Sequence, residues 1–413
     1  MMPALLAVSL FVRAAHLFDG AAERRDVVIE IEGDRIKSVG GALPAGARVI
    51  DFGPGYTVLP GLIDCHVHLS DRADHYDPIW SFKDTPMQRA FAAVVNARRT
   101  LEAGFTSVRD LGGPPFIARD LRESIDEGFV IGPRVVASGP GISITGGHGD
   151  LNGFSPTVSV QLYPNERGFQ IADGVDQVRQ TVRAQLKHGV DVIKIHASGG
   201  VLSRGDQPGA PQFTFDELKA AAEEAHKGGR KIAAHAHGAR SIKDAVLAGI
   251  DSIEHGSLID DEGIRLMKEH GTWLVSDIYD DDYILAEGPR LGLEPFLLEK
   301  ERKLGQLQRD NFRKCVQAGV KVAFGTDASV YPHGDNARQF FYMVKYGLTP
   351  AQAIRSATAD AAELIDRARD VGTLVPGKYA DLIAVAGNPL QDIRLLEKVA
   401  FVMKGGAVIK DAR

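Results

Sequence analysis

His66 and His68 close an apolar run that starts at Tyr56 and passes through Pro60-Gly61-Leu62-Ile63-Asp64-Cys65. In an extended strand, residues two apart leave the same face. Both imidazoles then project together, about 7 Å apart along the strand, a spacing that can grip one metal ion. A solvated strand face would display two histidines equally well. The pair acquires chemical meaning only if further ligands occur downstream at strand ends.

They do occur. Asp191-Val-Ile-Lys194-Ile-His-Ala-Ser-Gly-Gly200 places Lys194 among Val192, Ile193 and Ile195, where a cation is costly unless paired or modified. Lys231-Ile-Ala-Ala-His235-Ala-His237-Gly238 carries two more histidines on one strand face. Ser252-Ile-Glu-His255-Gly256 carries another, and Lys321-Val-Ala-Phe-Gly-Thr-Asp327 ends on a carboxylate. Alone, His235 would pass for a satisfied core histidine and Asp327 for a helix N-cap. Recurring at the same end of successive strands, these residue types point to a metal site.

The elements that must position them alternate. Within residues 57–370, candidate strands end near His68, Asp110, Ser143, His196, His237, His255, Asp277 and Asp327. Amphipathic runs at Met87–Glu102, Gly174–Lys187, Asp216–Lys227, Ser241–Leu247, Asp260–His270 and Leu304–Gln317 are the helices between them. Eight such units predict an α/β fold of the (β/α)8 TIM-barrel type, whose active sites lie at the C-terminal strand ends. A doubly wound sheet would want a glycine-rich phosphate loop after its first strand, and none stands there. Residues 1–56 and 371–413 alternate in strand fashion, and neither is long enough for a core of its own. Together they predict one small β-sandwich domain that brings the termini close.

Composition narrows the function. The chain has 413 residues, 44% hydrophobic and 25% charged, with a net charge of -6. No basic patch argues for nucleic acid, and no apolar run approaches the roughly 20 residues that span a bilayer. Neither nucleic acid nor membrane is expected as a partner. Cys65 and Cys315 both fall in apolar settings and read as buried free thiols. The apolar start, Met1–Phe11, lacks a basic n-region and reads as a first strand of a cytoplasmic protein. Had a signal peptide already been removed, the chain would be periplasmic or secreted.

Pro60-Gly-Leu-Ile-Asp-x-His66-x-His68, Lys194, His235, His255-Gly256 and Gly325-Thr-Asp327, with the tail Pro376-Gly-Lys-Tyr-Ala-Asp-Leu-Ile383 and Lys404-Gly-Gly406, resemble the amidohydrolase superfamily over nearly the whole chain. His235-Ala-His-Gly238, Ile253-Glu-His-Gly256 and Ser198-Gly-Gly-Val-Leu-Ser203 look like its imidazolonepropionase-related group. More closely they resemble the prolidase-like Xaa-Pro dipeptidases and carboxypeptidases, including ochratoxin A-hydrolysing amidohydrolases. Imidazolonepropionase itself usually lacks the strand-four lysine, so Lys194 argues against that enzyme.

The resemblance implies two divalent metal ions, zinc in preference to manganese or cobalt. One would sit on His66, His68 and Asp327, the other on His235 and His255. Lys194, N6-carboxylated by CO2, would bridge them. It implies attack of a metal-bridging hydroxide on an amide carbonyl, with Asp327 moving the proton to the leaving nitrogen. Family members often form homo-oligomers, octamers among them.

Loops would complete the pocket, those at 144–172, 200–214 and 278–300 above all. His148, in Gly139-Pro-Gly-Ile-Ser-Ile-Thr-Gly-Gly-His148-Gly149, is a candidate oxyanion donor, with a structural loop histidine as the alternative. His237 either faces substrate or supports His235. Arg204 is the candidate cation for a substrate carboxylate, although exposure would serve it as well. Tyr279 and His333 are weaker lining candidates. Asp280-Asp-Asp282 reads as a solvated charge cluster sooner than as a magnet for a basic group. The substrate class expected is a dipeptide or N-acyl amino acid, ochratoxin A included. The same centre could serve a lactonase or an organophosphorus esterase, and a non-catalytic scaffold relative is the rival from another class.

Overall fold

The computed structural model describes residues 9–77, 79–150, 152–155, 157 and 169–413. It is a mixed α/β fold built from one large terminal sheet and a cycle of parallel strands wrapped in helices. The apolar start read as a strand lies mostly outside the described residues, and β1 begins at Leu10.

The terminal sheet comprises β1 (Leu10–Phe18), β2 (Glu23–Glu32), β3 (Arg35–Val39), β4 (Arg48–Pro60), β12 (Leu382–Ala386), β13 (Val399–Lys404) and β14 (Ala407–Asp411), in the order β14-β13-β12-β4-β1-β2-β3. Both chain ends therefore enter one sheet, with β12 antiparallel to β4 from Leu382↔Pro60 to Ala386↔Tyr56. Alternation does the sorting: Val27, Ile29 and Ile31 of β2 are buried, while the residues between them are less so. At the far edge, Arg35 of β3 bridges Tyr379, just ahead of β12. The sheet thus rolls over its own apolar face, where Phe52 and Phe401 meet edge to face at 5.0 Å.

Gly61 carries the chain from this sheet into the strand cycle. A Cβ there would fall 2.1 Å from Thr106 Oγ1, so only glycine lets the two layers approach. The cycle begins with β5 (Leu62–Val67), β6 (Phe105–Asp110) and β7 (Arg134–Ala137), all parallel. It continues with β8 (Val192–His196), β9 (Lys231–Gly238), β10 (Ser252–Leu258) and β11 (Trp273–Val275), also parallel. Single parallel bridges join the pieces: Ser138↔Val192 and Ile142↔Ile195 link β7 to β8, Leu274↔Val322 links β11 to the eighth segment, and Val67↔Ala328 returns to β5. Every residue of β5 and β6 is buried, as expected for parallel strands covered on both faces.

Two strands depart from the expected regularity. The third ends at Ala137 because Ser138-Gly-Pro-Gly141 interrupts the ladder before it resumes at Ile142. The eighth, Lys321–Ala328, is held by bridges instead of a ladder, since Asp327 turns out of it at φ 51°. Helices Pro86–Glu102, Val175–Lys187, Phe215–Lys227, Ala239–Leu247 and Asp261–His270 occur close to the amphipathic runs. The expected loop at 278–300 is largely helical instead: Asp280–Glu287, then the start of a helix that runs Pro295–Ala318. Proline at the start of the second supplies a start signal that the charged sequence obscures. Among the described residues, no helix is long and apolar enough to cross a membrane.

Phe401 is fully buried against Phe52. Phe401→Ala should cost about 3–5 kcal/mol, read as an earlier unfolding midpoint in urea. An unshifted midpoint would show that this contact does not anchor the sheet.

Candidate active site

The C-terminal ends of the cycle converge on a cavity of about 220 Å3. His66 and His68 reach it together from β5, as their two-residue spacing requires, with ring centroids 5.3 Å apart. The tip of the eighth segment is tied to the same strand, its Asp327 N–H donating to His66 O at 2.8 Å. That tie brings Asp327 Oδ1 within 3.4 Å of His66 Nε2 and 3.0 Å of His68 Nε2. Lys194 Nζ lies 3.3 Å from His66 Nε2. His235, His237 and His255 form a second group, with His235 and His255 centroids 4.6 Å apart. His255 holds φ 70°, a left-handed backbone that a non-glycine residue adopts only when its surroundings enforce it.

Most of the imidazoles are locked from behind. His68 Nδ1 donates to Gly112 O at 3.0 Å, His255 Nδ1 to Asp277 at 2.7 Å, and His237 Nδ1 pairs with Ser257 Oγ at 2.7 Å. Such contacts fix ring orientation and leave Nε2 for the centre. His66 Nδ1 lies 3.1 Å from Glu254 Oε2, and Glu254 is in turn gripped by Arg109 at 2.9 Å. Burial alone would raise the Glu254 carboxyl, but Arg109 and His66 pull it down to about 2. His235 differs, its Nε2 facing Gly199 O at 3.2 Å.

These groups fit metal ions. The donor atoms of His66, His68 and Asp327 lie within 4.8 Å of one another, as do those of His235, His237 and His255, and those of His255, Asp277 and Asp327. Asp327 Oδ1 is buried without a conventional hydrogen bond, an orphan that a cation would satisfy. Burial lowers the Lys194 amine to about 8, which favours its neutral form.

The other sequence candidates divide. His148 and His237 line the cavity. His148 stacks on His235 at 4.1 Å, and burial lowers its pKa to about 4, keeping it neutral. Arg204, Tyr279 and His333 do not line it. Arg204 is spent on Glu294 at 2.7 Å, so it is not placed to receive a substrate carboxylate. The Tyr279 hydroxyl accepts from Arg338 at 3.1 Å. His333 sits behind β5, its Nε2 donating to His68 O at 3.2 Å. Asp280 and Asp281, expected in solvent, are buried in the first turn of a helix and line the cavity.

Several contributors, Asp277 among them, escaped the sequence reading. His196 lines the cavity two residues after Lys194, so period-two spacing puts it on the same face. Glu254 and Arg109 are charges inside apolar strands, the same signal that exposed Lys194. Glu301 had none, because Glu299-Lys-Glu-Arg302 reads as a solvated helix face.

Comparison with known proteins follows the same lines. The amidohydrolase family model matches residues 57–410. Ochratoxinase of Aspergillus niger is 36% identical over 368 residues, covering 86% of this chain and 75% of that protein. A crystal structure of a Xaa-Pro dipeptidase with bound methionine superposes with a TM-score of 0.90 at 37% identity, covering 97% of this chain and 99% of its own. A prolidase complexed with N-methylphosphonate-L-proline gives 0.88 at 31%, covering 98% and 100%.

Glu254 touches the centre only through His66. Glu254→Gln should therefore weaken metal retention about 10–100-fold, measured by metal content after graded chelation. Retention equal to that of the parent protein would remove Glu254 from any positioning role.

Proposed function

The chain belongs to the amidohydrolase family, and on that premise we propose that it is a metal-dependent hydrolase that cleaves the amide bond of dipeptides or N-acyl amino acids. It acts on amide bonds as its relatives do. The observation that carries the finer reading is the meeting of His66, His68, Lys194, His235, His255 and Asp327 around one cavity. Ochratoxinase and the prolidases among the similar proteins favour substrates with an amino-acid leaving group.

In this reading the strand cycle is a (β/α)8 barrel formed by residues 57–370, and the rolled terminal sheet is a small β-sandwich from residues 1–56 and 371–413. The cyclic order of the pairings supports the first, and the Arg35–Tyr379 bridge supports the second. His66, His68 and Asp327 would hold one divalent ion, zinc by ligand type, and His235 and His255 the other. Lys194 would take up CO2 at its neutral amine, lose a proton to solvent and, as a carbamate, supply anionic oxygens to help hold them. Such ions, when bound, polarise a carbonyl and bring the pKa of water to about 7.

The remaining work falls to side chains. Asp327 accepts the proton of the attacking water and passes it to the leaving nitrogen, which must be protonated before the amide can break. Neutral His148 donates a hydrogen bond to the carbonyl oxygen as its charge grows. His237, held by Ser257, steadies the adjoining imidazoles and lines the substrate space.

A library of dipeptides and N-acyl amino acids, including Xaa-Pro and ochratoxin A, tests the assignment against lactones and phosphotriesters in the presence of zinc. Hydrolysis of esters alone would overturn it. Asp327→Asn should keep the melting temperature within a few degrees yet lower kcat at least about 100-fold; turnover at the parent rate would sink the proton-transfer role.

A further inference from the structure

His148 reaches the cavity from the glycine-rich segment Gly139–Gly149, whereas His66, His68, Lys194, His235, His255 and Asp327 stand on strands or at their ends. Glycine-rich backbone loses much conformational freedom when it is held in one shape. An imidazole that must meet a developing charge from such a segment needs support from other parts of the chain.

A second loop supplies its seat. The His148 ring stacks on His235 at 4.1 Å, and a Cβ on Gly200 would fall 2.2 Å from the same ring. Only glycine at position 200 therefore leaves room for the imidazole. From below, the His148 N–H donates to Gln212 Oε1 at 3.0 Å.

Both supports lead to one carboxylate. Asp206 accepts from the Gly200 N–H at 3.1 Å, from Gln212 Nε2 at 3.3 Å and from Ser203 Oγ at 2.7 Å. Lys300, 94 residues away on the helix Pro295–Ala318, donates to Asp206 Oδ1 at 3.1 Å. The same ammonium donates to the carbonyls of Gly200 and Ser203 at 3.0 and 2.8 Å, so all three of its donors are engaged. An exposed ion pair would add little order. This one is not exposed: the side chains of Lys300 and Asp206 are 11% and 6% accessible, and removing either would leave the other buried and unpaired.

We propose that Asp206, clamped by Lys300, is a positioning residue that holds His148 where the substrate carbonyl oxygen gains charge. The proposal rests on the amide-hydrolase reading and on the donor role of His148 within it. Asp206 Oδ2 lies 3.9 Å from His148 Nδ1, beyond hydrogen-bond range. It acts through the backbone of Gly200 and the amide of Gln212, and does not touch the ring. A misplacement of the imidazole by an ångström would weaken a contact made chiefly in the transition state.

The test uses the zinc-loaded full chain and the best substrate of the dipeptide and N-acyl amino acid library. Asp206→Ala and Lys300→Met should each lower kcat about 10–100-fold, with KM within about twofold and zinc content unchanged. In a His148→Ala background the same substitutions should cost less than about twofold more, because the group they position is already gone. Losses that multiply with that of His148→Ala overturn the proposal, as does a parent-like kcat. Loss of zinc also overturns it, since Gly199 O of the same loop faces His235 Nε2 and the brace would then serve the metal. If both charge variants fail to fold, Gly200→Ala decides by the same cycle, its methyl group displacing the ring directly. If no amide is cleaved, or if His148→Ala turns over like the parent, the reading of the site fails by itself. The crystal structure of Lys300→Met or Gly200→Ala then decides the brace: an imidazole moved off His235 supports it, and one still stacked there overturns it.

Discussion

The rest of the structure depends on a buried ion pair, Arg109 with Glu254, set among apolar strands. Arg109 is 1% exposed and its guanidinium meets three partners at once: Cys65 O, Ser252 Oγ and Glu254 Oε1. An unpaired charge at such a depth would cost several kcal/mol, so the two must occur together or not at all. Their pairing ties β6 to its neighbour β5 and reaches across to β10, a strand of the other parallel sheet. It also leaves Glu254 Oε2 facing His66 Nδ1 at 3.1 Å. The same contact that satisfies the core therefore sets the orientation of the first imidazole at the cavity.

That coupling explains why the site can be both crowded and ordered. Imidazoles packed at centroid distances of 4 to 5 Å would rotate freely if only their front edges had partners. Instead Gly112, Asp277, Ser257 and Glu254 each hold one ring from behind. The supports lie on other strands or at their ends, so the arrangement of the imidazoles is as rigid as the strand cycle. Gly61 contributes at one remove, because its missing side chain lets β4 pass into β5 against Thr106 without displacing the strand that bears His66 and His68. The strained backbone at His255 and Asp327 is the local expense of aiming side chains from a ladder toward a shared point.

The gathering of His66, His68, Lys194, His235, His255 and Asp327 at one cavity, and the order of strands and helices, were legible in the sequence for one physical reason. Covered parallel strands are so uniformly apolar that a histidine, lysine or aspartate at their ends stands out. The same contrast would have exposed Arg109 and Glu254, had buried charges within the strands been read alongside the charges at their tips. His196 was legible by spacing from Lys194. The pocket wall was not. Arg204 sits in a polar loop where a salt bridge to Glu294, 90 residues away, decides its fate. Asp280, Asp281 and Glu301 belong to helices whose charged faces look solvated until the fold turns them inward. Burial of a helix face is a tertiary property, and a run of acids carries no mark of it.

This asymmetry has a consequence for how the chain separates chemistry from selectivity. His66, His68, Lys194, His235, His255 and Asp327 stand on strands or at their ends, and a buried ion pair lies behind His66. The acidic wall stands on helices that connect the seventh and eighth strands, and Asp280 meets Asp277, the residue that holds His255. Changing Glu301 alters the charge the cavity offers while leaving Arg109, Glu254 and the imidazole supports in place.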